Sequence, residues 1–110
     1  MKLELKEGWW VQTELKCVEG WVSIQTEYWR SNGDGIDFTY NEKLGLASDD
    51  NQTDFEVGLK NQDWFLNEEA QGIVADADCR FDGQNIIKEI KSVDDLYVFG
   101  KALYEIDQLF

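Results

Sequence analysis

From Trp9 to Cys17 the chain alternates with period two. Trp9, Val11, Thr13, Leu15 and Cys17 share one face, and Trp10, Gln12, Glu14 and Lys16 share the other. The alternation returns from Trp21 to Trp29, with Val22, Ile24, Thr26 and Tyr28 against Ser23, Gln25 and Glu27. Alternation rich in β-branched and aromatic residues predicts strands. Glu19-Gly20 between them suits a tight turn. The expected hairpin is therefore 9–18 with 21–29. Pairing Val18 with Trp21 would set Leu15 opposite Ile24, Cys17 opposite Val22 and Val11 opposite Tyr28, all on one buried face. The same register would set Trp10 opposite Trp29 on the more polar face.

Further strands are expected at residues 2–6, at Ile36 to Tyr40, around Phe55, Val57 and Leu59, at 72–81 and from Asn85 to Ile90. Ser31 to Gly35 reads as a loop. Residues 62–71 fit either a short helix or an irregular turn. The C-terminus carries the clearest helix pattern, over 93–109. Ser92 is positioned as its N-cap, and Asp94 and Asp95 complement the positive end of the helix dipole. Val93, Leu96, Tyr97, Phe99, Leu103, Ile106 and Phe110 form one wide apolar stripe. Gly100 inside it lowers helix propensity but permits close approach to a neighbour. The expected fold is a single α+β domain over 1–110, an antiparallel sheet with the C-terminal helix packed on one face.

Composition adds a charge asymmetry to this picture. The 110 residues hold 23 acids and 10 bases, a net charge of −13. Residues 34–82 hold 13 of the acids and 3 of the bases, so −10 of the total falls there. Such a field repels nucleic acid and anionic membranes and attracts basic proteins, although acidity also serves solubility alone. Aromatics make up 14% of the chain, more than a disordered acidic segment carries, so folding is expected. Two cysteines, Cys17 and Cys79, lie far apart without a CxxC pair. Met1 to Trp10 alternates in charge and resembles no signal peptide, and no apolar run reaches membrane-spanning length. A cytoplasmic protein with reduced thiols is expected. The Asn51-Gln52-Thr53 sequon then has no glycosylating context.

The sequence contains no histidine, which removes the commonest general base and every Ser-His or Cys-His arrangement. Asp76-Ala77-Asp78 opens like a calcium loop, but Arg80 and Ile87 stand where oxygen ligands belong. Asn32, Asp34 and Ile36 fail the same way, and Asp49, Asp50 and Asp54 read as a solvated acidic loop. Gly33-Asp34-Gly35 carries an acid where a phosphate cradle needs amides and a lysine. No cofactor, metal or catalytic residue is expected. A small enzyme would have to work with carboxylates alone, held rigidly as a pair with separated pKa values. Trp9 belongs to the expected core. Trp10, Trp21 and Trp29 are either interface anchors or aromatics covered by another segment, and large aromatics usually find cover.

The C-terminal run from Ser92 to Leu103 places Asp94, Leu96, Phe99 and Leu103 in the pattern D-x-L-x-x-F-x-x-x-L. A sheet closed by such a helix resembles small bacterial immunity proteins of contact-dependent growth inhibition and similar secretion systems. The resemblance covers about a tenth of the chain and is chiefly an amphipathic helix signature. It implies a non-enzymatic protein that neutralises a basic nuclease toxin by blocking its active site or substrate groove. The expected contacts are the acids of the most negative stretch: Asp34, Asp37, Asp49, Asp50, Asp54, Glu56, Asp63, Glu68 and Glu69. The alternative is a nucleic-acid mimic of the anti-restriction or anti-CRISPR type, which would share the acidity but fill a DNA-binding channel.

Overall fold

A computed structural model describes residues 3–12, 18–53, 55, 67–83 and 85–110. Among these, six strands and two helices follow in the order β1 (Trp10–Gln12), β2 (Val22–Trp29), β3 (Gly35–Asn41), β4 (Leu46–Ser48), α1 (Glu68–Asp76), β5 (Arg80–Asp82), β6 (Asn85–Glu89) and α2 (Val93–Gln108). The strands form one antiparallel sheet in the order β1-β2-β3-β4-β6-β5. The expected α+β architecture holds, with the last helix laid on the sheet.

The hairpin keeps its turn and faces but changes register. The Trp21 N–H donates to the Val18 carbonyl at 3.0 Å across Glu19-Gly20, and Gly20 takes φ +89°, a conformation that favours glycine. Yet Val11 lies opposite Ile24, four residues from the expected Tyr28, and Trp10 lies opposite Gln25, not Trp29. An even slip moves no side chain across the sheet, so the alternation still predicts the buried face. The expected partners Leu15 and Cys17 lie outside the described residues.

Other boundaries are corrected. Residues 3–6 form no strand, although Leu3 and Leu5 pack against the core. The strand expected at 72–81 is mostly the helix α1. Asn67 caps it by accepting from the Ala70 N–H at 2.9 Å, Glu68 and Glu69 occupy its first turn, and Ala70 and Val74 point inward. β-Branched Ile73 and Val74 suggest a strand locally, but the cap and the i, i+4 burial decide. Only the end of that stretch, Arg80–Asp82, is extended. Phe55 is helical, its N–H donating to the Asn51 carbonyl at 3.1 Å; Val57 and Leu59 lie outside the described residues. β4 has three residues and little alternation to announce it.

The core lies between the sheet and α2. Leu96, Phe99, Leu103 and Ile106 pack on Ile24, Ile36, Phe38, Tyr40, Ala47 and Ile86. Phe38 and Phe99 meet edge to face at 5.0 Å between ring centroids. Trp9 plugs one side, edge-on to Tyr97 at 4.9 Å. A Cβ at Gly100 would collide with the Trp9 ring and stand 2.9 Å from the Thr26 methyl group, so glycine is required for this approach. At the start of α2, the Asp95 carboxylate accepts from the N–H groups of Lys91 (2.8 Å) and Ser92 (3.2 Å). At the far end the buried Arg30 and Asp107 pair at 3.4 Å, and Asp107 also accepts from the Ser31 N–H at 3.2 Å. Buried Lys88 donates to the Ala77 carbonyl just past α1, which ties that helix to the sheet.

Candidate functional site

With both helices on one side, the register defines a second face of different character. One row crosses all six strands there: Gln12, Ser23, Thr39, Ser48, Ile87 and Arg80. Beside it run Trp10, Gln25 and Asp37, with Asn85 opposite Asp82 further along. Except for Ile87 and Trp10 these are polar side chains, and Gln12, Ser23 and Gln25 hydrogen-bond one another. Ser23 donates to Gln12 at 2.6 Å, Gln12 donates to Gln25 at 3.0 Å, and Gln25 reaches the Ile36 carbonyl at 3.0 Å.

A groove of about 560 Å³ opens on this outer face. Thr39, Ser48 and Ile87 belong to its floor row. Val18 and Trp21 come from the β1–β2 connection, Leu44 from the turn before β4 and Leu46 from β4 itself. Asp50, Asn85 and Asp82 also line it. The register separates these groups. Trp21 adjoins Val22, which pairs with Tyr40, and neighbouring Asn41 pairs with Leu46, so the apolar walls gather at one end. Asp50 lies past Ser48 and Asp82 pairs with Asn85, so the carboxylates gather at the other.

The turn that presents Asp50 is built around Asp49, which is 2% exposed. It accepts from the N–H groups of Ile86 (2.8 Å), Asn51 (3.2 Å) and Thr53 (3.2 Å). Ser48 Oγ accepts from the Asp50 N–H at 3.1 Å. These bonds hold Asp50 and Asn51 at φ +53° and +64°, a left-handed pair that non-glycine residues adopt at a cost. Burial raises the Asp49 carboxyl above its usual range, opposed by the bonds from Ile86, Thr53 and Asn51. Asp37, half-buried on β3, is raised by burial and by the Asp50 charge, against a lowering from Arg30.

The acids expected to make contacts therefore separate. Asp37 and Asp50 come within electrostatic reach of each other. Asp34 is exposed in the β2–β3 loop. Glu68 and Glu69 are exposed on α1, which packs with α2 across the sheet from the groove. Asp49 is committed to the turn and cannot be a contact residue, because its oxygens already accept buried amides. Asp54, Glu56 and Asp63 lie outside the described residues. Asp82 was missed; its signal was only that it would face outward on a strand beside Asn85. Among the three doubtful tryptophans, cover is not found for Trp10, 52% exposed, or Trp29, 62% exposed. Trp21 is half-buried and lines the groove.

Among the described residues no three acidic or thiol groups converge as a metal site. The Cys79 thiol is pushed up to about 11, chiefly by burial, which leaves it a poor nucleophile near neutral pH. Among the described residues no helix is long and apolar enough to cross a membrane. The site is a preformed surface with an apolar end and an acidic end. No family model, curated protein or solved structure matches the chain.

Proposed function

We propose that this chain is a binding protein that captures a basic protein partner through its acidic outer face, in the manner of immunity proteins that neutralise nuclease toxins. The observation that carries the reading is the groove, where Asp50 and Asp82 are lined up with exposed Leu44 and Val18 and where no base stands among the described lining residues. Neither carboxylate forms an ion pair among the described residues. Unpaired acids beside exposed apolar side chains favour a cationic surface, and the charge of −13 steers such a surface in from a distance. The missing histidine and the poorly reactive Cys79 thiol weigh against catalysis.

The test is capture from the native host at low ionic strength, about 50 mM, where surface charges are weakly screened. A basic protein should be retained, released by salt, and lose its own activity when the chain is added back. If nothing basic is retained, or the retained protein keeps full activity in the complex, the inhibitor reading fails.

A further inference from the structure

The two-ended groove narrows the kind of surface it can accept. We infer that it seats a single segment of the partner in which a lysine or arginine stands beside a bulky aliphatic or aromatic side chain, the cation directed at Asp50 and Asp82 and the apolar group resting on Leu44 and Leu46. This rests on the reading of the chain as a binder of basic protein.

Three observations converge on that occupant. The first is spacing. Leu46, Ser48 and Asp50 succeed one another along the chain, so the apolar and acidic ends lie roughly 10 Å apart. A basic side chain and an apolar neighbour span that distance; a metal ion or a lone amine does not. The second is the state of the sheet. Within it the floor strands β3, β4 and β6 are already paired on both sides. The partner therefore docks by inserting side chains across the face, from a helix or a loop. The third is preparation of the acidic end. Asp50 is held in a left-handed turn by the buried Asp49 carboxylate and by Ser48, so its ordering cost is met in folding and not on binding.

A titration of the isotope-labelled full chain, followed by amide chemical shifts at low salt, tests this. The probe is the capped peptide acetyl-Leu-Lys-Leu-Arg-amide. The controls are its counterpart with glutamine at both basic positions and the diamine 1,5-diaminopentane. The largest shifts should fall on Leu44, Leu46, Asp50, Asp82 and Asn85. Asp50→Asn with Asp82→Asn should weaken the basic peptide about tenfold, and Leu44→Ser should weaken it while the spectrum shows an intact fold. Glu68→Gln with Glu69→Gln should change affinity less than about twofold. Shifts centred on α1, or groove variants that bind the peptide unchanged, would overturn the groove assignment while leaving a basic partner in place. A diamine as tight as the peptide would overturn the two-ended seat. A chain that binds neither cationic probe would remove both this inference and the reading beneath it.

Discussion

The two faces of the sheet are made by the same strands and have opposite chemistry. The inner face, under α2, presents Ile24, Ile36, Phe38, Ala47 and Ile86, all nearly inaccessible. The outer face presents Gln12, Ser23, Thr39 and Ser48 in a single row, with carboxylates at one end and exposed apolar groups at the other. Strand alternation alone produces such a division. What it teaches is how differently the two faces are held. Inner side chains are held by packing and tolerate no change in volume. Outer ones are held by hydrogen bonds and turns around the groove.

Substitutions should separate the faces by size of effect. Phe99→Ala removes the ring that packs edge-on against Phe38 and should cost about 3–5 kcal/mol. Much of the stability of a domain this small would go, whereas Leu44→Ala on the outer rim should stay within about 0.5 kcal/mol. Denaturant melts of the two variants check this. Asp107→Ala strands the buried Arg30 guanidinium and should cost about 3–5 kcal/mol, while Arg30→Met with Asp107→Leu should recover much of the loss. Recovery in a double-mutant cycle would identify the buried charge, not the helix end, as the source.

Gly100→Ala is a sharper probe of the inner face. Helix propensity alone would make it stabilising by about 1 kcal/mol. The collision with Trp9 and Thr26 reverses the sign, and a net loss of about 1–3 kcal/mol is expected by thermal melt. A gain would mean that α2 sits further from the sheet.

The smallest effect is that of pH. Burial raises the carboxyls of Asp37 and Asp49 above the ordinary 3.8. The folded state then binds protons that the unfolded state has released. Stability should rise as pH falls from neutral through the raised values, and level off near the ordinary one. Relief of repulsion within the net charge of −13 acts in the same direction. Melts recorded from neutral pH down to the ordinary carboxylate value of 3.8 should show this increase, and Asp37→Asn should reduce it.

Much of the inner face was legible in the sequence because its signals are local. Ser92, the acids after it and the stripe from Leu96 to Ile106 sit within one helix, and the alternation of β2 and β3 marks their buried sides. The outer site was less legible because tertiary placement makes it. Charge density drew attention to 34–82, yet the contacts expected from that stretch include Asp49, buried within a turn, and Glu68 and Glu69, on a helix across the sheet. Asp82 joins the groove only because β5 pairs with β6 and β6 with β4, an order that spacing along the chain does not reveal. The slipped β1–β2 register has the same origin, since alternation defines faces but is blind to even shifts.

The central claim is that the outer groove, not acidity at large, holds the partner. Its most direct test is the kinetics of association between the chain and its captured basic partner, comparing two charge-matched variants. Asp50→Asn with Asp82→Asn should speed dissociation about tenfold, because it removes contacts at the seat. Glu68→Gln with Glu69→Gln removes the same charge from α1 and should slow association slightly while leaving dissociation unchanged. Equal effects from the two variants, or faster dissociation only when α1 is neutralised, would contradict the account.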